Sequence, residues 1–527
     1  MWTLVLFNFK HYGPLRVNLL KAAASVSAMT LLSRITGFVR DTLIAIFFGA
    51  GALTDAFFVA FRIPNLLRRL FAEGAFSQAF VPILGEYRTR QGDEATRRLA
   101  GNVMGFLAVA LFVVTAVGMV AAPLVVYLVG SGFAKDPDKF ALTVAMLRIC
   151  FPYILFVSLV SVAAGVLNTY GRFKAPAFTP VLLNLSFIAF ILLGAPHFER
   201  PVMALAWAVF FGGLAQLLFQ LPFLRHAGML TWPTWNPKDE GVVRILKLMA
   251  PAVFGVSVAQ LSLVINTNIA SHLRDGSVSW LYYADRLMEF PSALLGVALG
   301  TVLLPSLVRH HQADDPAAYS RLLDWGLRVS LVLAAPAAVA LGLLAVPLVT
   351  TLFWHGEVFT RSDAIMTRHA LIAYAAGLTG IILVKILAPG FYARQDVRTP
   401  VKIGLWTLAV TQLLNVALVP WLDHAGLALA ISLGACFNAG WLWLSIARSG
   451  AWRPQPGWAA FLLKLAVALY LMGGAIWFTM GREASWFEIT AGVRAAKLAL
   501  VILAGSTAYF AALGIMGFKL RDFTRRA

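Results

Sequence analysis

Charged residues are scarce in this sequence. Asp, Glu, Lys and Arg together make up 13% of its 527 residues, whereas soluble proteins carry about 25%. Hydrophobic residues account for 60%, and the mean hydropathy is +0.79. This composition excludes a soluble globular protein and predicts an integral membrane protein.

Cysteine is also nearly absent. Cys150 and Cys436 lie inside apolar segments, without a His or Cys at ligand spacing, which excludes a disulfide framework and a zinc site. The sequence has no Gly-rich phosphate loop of the GxxxxGK[ST] type, and no connection much exceeds about twenty residues, too short for a nucleotide-hydrolysing domain. No nucleophile, base and orienting group occur together, so we predict a transporter without catalytic site, metal or cofactor.

Acidic residues are few relative to basic ones, 24 against 43, which gives a net charge of +19. In a soluble protein this excess would suggest a nucleic-acid partner. In a membrane protein it mostly reflects Lys and Arg on the cytoplasmic side. We therefore predict no nucleic-acid partner.

Long apolar runs are what the sequence does contain. Runs of about 20 residues or more are typical of transmembrane helices and not of a barrel. The predicted helices 1 to 14 cover residues 20–48, 54–84, 102–129, 140–169, 177–196, 202–224, 246–272, 279–308, 323–353, 364–391, 400–421, 425–447, 458–480 and 494–517. The predicted fold class is an all-α polytopic membrane protein with fourteen transmembrane helices.

The connections between these helices alternate in charge. The basic ones contain Arg88, Arg90, Arg97, Arg98, Arg172, Lys174, Arg225, Lys238, Arg244, Arg309, Arg321, Arg394, Arg398, Arg448 and Arg453, and the tail adds Lys519, Arg521, Arg525 and Arg526. All of these lie on one side of the predicted membrane, and the opposite loops are short and nearly free of basic residues. By the positive-inside rule, both termini are predicted to be cytoplasmic.

An internal repeat relates the two halves of the chain. The matching positions are Pro82 and Pro305, Pro123 and Pro347, Met146 and Met366, and Pro180 and Pro400, with offsets of 223, 224, 220 and 220 residues. Six helices, an even number, separate the copies, so the halves have the same orientation in the membrane. We predict an N-lobe at 18–225, a C-lobe at 226–450 and two extra helices with the tail at 451–527. Residues 1–17 form an N-terminal extension, of which the first sixteen are expected to lie upstream of the natural start.

Charged and polar side chains occur inside three of the predicted helices. Helix 1 has a stripe of Ser27, Thr30, Arg34, Gly37 and Asp41, with Arg40 on its flank. Helix 2 has Asp55, Arg62, Asn65, Arg68, Arg69 and Glu73, and helix 8 has Tyr282, Tyr283, Asp285, Arg286 and Glu289. Charge inside a membrane helix indicates a functional site, and paired arginines suit an anionic ligand.

Purely structural roles remain open for several of these residues. Asp55 could cap the start of its own helix. Arg69 with Glu73, and Arg286 with Glu289, have the spacing of plain ion pairs along a helix. Arg34 and Arg40 could instead extend from a helix end to the membrane surface.

Seven segments make the sequence similar to a known family. They are NLLK at 18–21, SRITGFVRD at 33–41, TDAFFVAF at 54–61, PNLLRR at 64–69, FAEGAFSQAFVP at 71–82, YYADRLMEFP at 282–291 and QPGW at 455–458. From about residue 18 to the C-terminus the chain resembles the MurJ/MviN lipid II flippases of Gram-negative bacteria. These belong to the MOP exporter superfamily, together with the MATE transporters.

The resemblance implies an inner-membrane flippase with two six-helix lobes around a cationic cavity and a lipid-tail groove on helices 13 and 14. Its substrate would be undecaprenyl-diphosphate-linked disaccharide pentapeptide, moved from the cytoplasmic to the periplasmic leaflet by alternating access. The family's cavity arginines map onto Arg34, Arg40, Arg68 and Arg286, and its acidic positions onto Asp55 and Glu289. Lipid II and membrane lipids are the implied partners, with room for cell-wall synthesis proteins.

Two other functions fit these residues less well. A MATE-like multidrug or cation antiporter should line its cavity with carboxylates, whereas arginine dominates here. A non-transporting scaffold for cell-wall enzymes leaves four arginines inside the membrane without a purpose. For a flippase without a nucleotide site, we expect the membrane potential to be the driving force.

Overall fold

The computed structural model of the chain describes residues 19–69 and 75–518, and within them every regular element is a helix and no strand is present. The helices are α1 (Leu19–Phe48), α2 (Ala52–Arg68), α3 (Ala75–Val120), α4 (Ala122–Val129), α5 (Pro137–Cys150), α6 (Tyr153–Thr169), α7 (Lys174–Ala189), α8 (Met203–His226) and α9 (Glu240–Ser271). They continue with α10 (Ser277–Gln312), α11 (Pro316–Leu343), α12 (Ala345–Leu352), α13 (Arg361–Tyr392), α14 (Arg398–Leu422), α15 (His424–Arg448), α16 (Trp458–Met480) and α17 (Ala491–Ile515). The predicted N-terminal extension, Glu73 and the basic tail lie outside the described residues.

The predicted all-helical membrane fold is confirmed. Among the described residues, ten helical segments are long and apolar enough to cross a membrane. They correspond to ten of the fourteen predicted spans. The other four predicted spans correspond to α1, α2, α9 and α10, and three of these contain the candidate site charges. A total of fourteen is compatible with the structure and stays a prediction.

The predicted second span contains α2 and the start of α3, and three further predicted spans are each built from two helices. The span at 102–129 breaks at Ala121, the one at 140–169 breaks at Phe151 and Pro152, and the one at 323–353 breaks at Leu344. Proline accompanies each break, because Pro123, Pro152 and Pro347 stand in or next to the first turn of the second helix. Proline lacks an N–H and is tolerated best at that position of a helix.

Helix α3 differs most from the prediction. It begins at Ala75, inside the predicted second span, and continues through residues expected to form a loop to Val120. The joining segment is rich in Arg, Glu and Gln, which favour helix but leave no hydropathy signal. The one interruption is Gly92, with φ of +83° and ψ of −176°. Only glycine adopts this backbone conformation without strain.

The chain forms two compact units, of which one ends at Ser279 and the other begins at Trp280. The two eight-residue helices α4 and α12 occupy matching places in the predicted repeat. The predicted lobe boundaries at 225 and 450 are a separate division of the chain and stay a prediction.

In the second unit, α16 and α17 pack against each other and against α11 and α12. Their shared apolar core contains Phe461, Leu465, Met472, Trp486 and Tyr509. A second core joins α11, α13 and α15 around Leu323, Ile386 and Leu442. The two C-terminal helices are therefore packed onto the unit through an apolar interface of their own.

Replacing Gly92 by alanine is expected to lower the stability of the protein by about 1 to 3 kcal/mol, because alanine is strained at this φ and ψ. Gly85→Ala on the same helix is the matched control. Neither glycine has a heavy atom within 4 Å of where a Cβ would lie, so the two differ only in backbone conformation. Thermal unfolding in detergent should show a lower Tm for Gly92→Ala alone, and equal Tm values would contradict the assignment.

Candidate functional site

Arg40 of α1 is held by three hydrogen bonds. Its Nε and Nη2 donate to Asp41 Oδ1 at 2.9 and 2.7 Å, and its Nη1 donates to Asn184 Oδ1 at 3.1 Å. The guanidinium also lies 5.3 Å from the ring centroid of Phe187. The Arg40 and Asp41 side chains are only 11% and 6% exposed. This is a buried ion pair whose arginine is oriented by two residues of α7.

Asn184 was not predicted as a site residue. Its Nδ2 donates to the Ser33 carbonyl at 3.0 Å and to Thr36 Oγ1 at 3.1 Å, so one amide joins α7 to α1 and to Arg40. Gly37 faces this amide, and a Cβ there would lie at an ordinary van der Waals distance of 3.4 Å from Asn184 Nδ2. An amide inside an apolar span was the available signal, since such side chains usually form hydrogen bonds between helices.

Arg34 lies on a different part of α1 from Arg40. Its side chain is exposed, and among the described residues no hydrogen bond or ion pair involves it. Thr30 and Thr36 donate to carbonyls of their own helix, and Asp41 is buried. The predicted polar stripe of α1 is therefore divided into a part packed on α7 and an exposed part that contains Arg34.

Asp55 of α2 is almost fully buried, and it does not cap its own helix. The N-cap position of α2 is Gly51, without a side-chain hydrogen bond. Asp55 instead accepts from the backbone N–H groups of Gly276 and Ser279, both at 2.8 Å, and from Ser279 Oγ at 2.6 Å. It thus binds the first turn of α10, where a negative charge meets the positive end of the helix dipole.

Lys139 of α5 was also missed. Its Nζ donates to Asp55 Oδ2 at 3.4 Å and to Asp275 Oδ1 at 2.7 Å, and it lies 4.0 Å from the Phe133 ring centroid. Buried charges are stable only when they are paired. Lys139 therefore supplies the countercharge for Asp55 from a helix that contains none of the predicted site residues.

The C-terminal part of α2 contains three arginines in different surroundings. Arg68 donates through Nε and Nη2 to Asn65 Oδ1 at 3.0 and 2.9 Å. Arg62 donates to Thr267 Oγ1 at 2.9 Å, and Arg69 is exposed. The two predicted site residues Arg68 and Asn65 are thus in direct contact.

The site residues of the second unit lie on α10. Arg286 Nη1 donates to Glu289 Oε2 at 2.6 Å, and the guanidinium lies 4.9 Å from the ring centroid of Tyr282. The side chains of Arg286 and Glu289 are 30% and 46% exposed, and Asp285 is half-buried. The predicted ion pair exists, and its partial exposure leaves both groups accessible to a ligand.

The structure brings the predicted residues together in three local groups: Arg40 with Asp41, Arg68 with Asn65, and Arg286 with Glu289. The first two groups lie in the first unit and the third lies in the second unit. Among the described side chains, no group of three or more His, Cys, Asp or Glu residues could hold a metal ion.

Apolar helices that contain oriented arginines and carboxylates are typical of a membrane transporter for a charged solute. A family model described as "Lipid II flippase MurJ" matches residues 44–494. The chain belongs to this family.

Individual relatives agree with this assignment. The lipid II flippase MurJ of Burkholderia cenocepacia is 52% identical over 516 residues, which cover 97% of this chain and 100% of that protein. A solved structure titled lipid II flippase MurJ, inward closed conformation, has a TM-score of 0.76 and 24% identity, covering 93% of this chain and 99% of that one. An inward-facing MATE transporter of the MOP superfamily has a TM-score of 0.67 and 12% identity, covering 81% and 98%. Both structures share the fold of this chain.

Proposed function

We propose that the protein moves lipid II, the undecaprenyl-diphosphate-linked disaccharide pentapeptide, from the cytoplasmic to the periplasmic leaflet of the bacterial inner membrane. It acts by alternating access, as a transporter without a catalytic site, and supplies cell-wall synthesis. The observation that carries this proposal is Arg40, an arginine held in a fixed orientation inside a membrane helix. A planar fork of donors matches the oxygen atoms of a diphosphate.

The substrate-binding residues in this proposal are Arg34, Arg40, Arg68 and Arg286, supported by Asp55, Asn65, Asp285 and Glu289. In this proposal each of these arginines is a candidate contact for the diphosphate oxygen atoms. Asp55 is assigned an indirect role, because its carboxylate is fully engaged with α10 and Lys139. Its contribution is to hold α2, which contains Arg68, against the start of α10.

The lipid tail is assigned to the two C-terminal helices. Exposed apolar side chains cover both of them, among them Leu463, Phe478, Leu503 and Ile515. A polyprenyl chain can lie along this surface while the diphosphate is bound by arginine side chains. The charge alternation of the loops supports cytoplasmic termini.

Depletion of the protein in its own bacterium is the direct test. The expected result is lysis, with lipid II accumulating where an externally added periplasmic enzyme cannot reach it. Expression of the wild-type gene should prevent lysis and restore the accessibility of lipid II to the enzyme. Viable cells that become sensitive to cationic drugs would indicate a MATE-like antiporter instead. Lysis with lipid II fully accessible from outside would place the defect after the flipping step.

A further inference from the structure

Asp324 of α11 is a buried carboxylate that accepts four hydrogen bonds. Its Oδ2 accepts from Arg328 Nε at 2.8 Å. Its Oδ1 accepts from the indole N–H of Trp458 at 2.8 Å, the indole N–H of Trp452 at 3.2 Å and the backbone N–H of Gln455 at 3.2 Å. One side chain therefore binds two residues of the connection between α15 and α16, Trp452 and Gln455, and the first residue of α16, Trp458.

Neighbouring residues on the same face of α11 strengthen this attachment. Arg328, one turn after Asp324, donates through Nη2 to the carbonyls of Gln455 and Pro456 at 3.0 and 3.1 Å. Ser320, one turn before, accepts from the backbone N–H of Arg453 at 2.9 Å and donates to its carbonyl at 3.2 Å. Residues four apart share a helix face, so these three side chains form one polar stripe, here named the α11 clasp.

The clasp fixes the beginning of α16. The helix starts after Gly457, whose φ of +89° turns the chain away from the connection. Further along, Tyr509 of α17 donates to the Val332 carbonyl at 2.6 Å, and Arg494 donates to the Thr350 carbonyl at 2.9 Å. Asp324 and Arg494 are both buried, so the clasp and the α17 contact each place a charged group inside the attachment.

A buried charge costs free energy unless it is paired and hydrogen-bonded. Apolar packing contributes to the attachment of α16 and α17 to α11 over the rest of their shared core. Apolar contacts are non-directional, whereas four hydrogen bonds to one carboxylate define where α16 starts and how it is oriented. The clasp thus specifies the start and the orientation of α16, which apolar packing does not specify.

We propose that Asp324 is a positioning residue for transport: it sets the orientation of the α16–α17 pair so that a long polyprenyl tail lies on these helices while its diphosphate is bound elsewhere in the protein. This inference rests on the proposed function. A substrate with a short tail does not extend along α16 and α17, and its transport does not depend on Asp324.

The test compares two substrates in proteoliposomes: lipid II with its 55-carbon tail and a lipid II analogue with a 15-carbon tail. Asp324→Ala should slow transport of the long-tail substrate by about tenfold or more, the scale of a lost hydrogen-bonded charge. Transport of the short-tail analogue should change by less than about twofold. Asp324→Asn keeps an oxygen acceptor for the indoles and should partly restore the ratio of the two rates.

Asp363→Ala is the matched control. Asp363 is a buried carboxylate of the same unit that accepts from the indole N–H of Trp280 at 2.8 Å, and it also accepts from Thr360. None of these partners lies on α16 or α17. Any loss in this variant should affect both substrates equally and leave their ratio at the wild-type value.

A spectroscopic measurement separates position from stability. Spin labels on cysteines at Tyr470 of α16 and Ile372 of α13, both exposed, should show a broader distance distribution in Asp324→Ala and an unchanged one in Asp363→Ala. An unchanged ratio of rates in folded Asp324→Ala and Asp324→Asn, whether both substrates slow equally or neither slows, would overturn the inference. Wild-type protein that transports neither substrate would refute the proposed function instead.

Discussion

Cells that depend on this protein are expected to die when Arg40 is replaced by alanine, although the variant reaches the normal protein level. In the proposed function this substitution removes a guanidinium assigned to the substrate diphosphate, and it also removes the ion pair with Asp41. A hydrogen bond to a charged group contributes about 1.5 to 3 kcal/mol, which is roughly a factor of 10 to 150 in binding or rate. Complementation of a depletion strain measures the effect, and immunoblotting measures the protein level.

Lysine is expected to replace Arg40 poorly. Arg40 uses Nε, Nη1 and Nη2 at the same time, toward Asp41 and Asn184. The lysine ammonium is a compact charge and cannot reproduce this planar fork. Arg34 is exposed and forms no such contacts among the described residues, so Arg34→Lys should complement better than Arg40→Lys, while Arg34→Ala and Arg286→Ala should both fail.

Arg90→Ala is the matched control for these arginine variants. The Arg90 side chain is 75% exposed and forms an ion pair with Glu86 one helical turn away, which contributes little to stability. This variant should complement fully. Full complementation by Arg40→Ala at normal protein level would remove Arg40 from the mechanism.

The sequence was sufficient to predict the helical membrane fold, because apolar runs long enough to cross a bilayer are rare in soluble proteins. It was not sufficient where helices lack an apolar signal. The segment around Glu86 and Arg90 is polar and was expected to be a loop, yet it continues α3 as far as the kink at Gly92. Helix propensity, and not hydropathy, is the relevant property there.

The site was predictable to the extent that it consists of charges within single helices. Arg286 with Glu289, and Arg68 with Asn65, are three residues apart and could be found from spacing. Asn184 and Lys139 could not, because their partners Arg40 and Asp55 are 144 and 84 residues away in the chain. Asp55 shows the same limit, since its contacts with Gly276 and Ser279 are set by tertiary packing and not by its position at the start of α2.

The ion pairs of the site bear on how transport would be driven. Arg40 is paired with Asp41, and Arg286 with Glu289, so each pair has little net charge. Replacing Glu289 by glutamine removes one negative charge and leaves the Arg286 guanidinium in place. Glu289→Gln therefore makes the site more positive by one charge without changing the number of arginines.

Collapsing the membrane potential, at constant pH and sodium gradients, is expected to stop lipid II flipping in cells that depend on this protein. The cell interior is negative, so moving a diphosphate outward is favourable by about 2.3 kcal/mol per unit charge for each 100 mV. We propose that after release the same field acts on the positive charge of the arginines that cross it and returns the empty transporter toward the cytoplasm-facing state. Accessibility of lipid II to an added periplasmic enzyme measures the flipping rate. Undiminished flipping after the collapse would indicate an ion-coupled cycle in which the arginines only bind the substrate.

Glu289→Gln adds one positive charge to the site. In a variant that still transports, the flipping rate, measured in the same way, should therefore depend more steeply on the membrane potential.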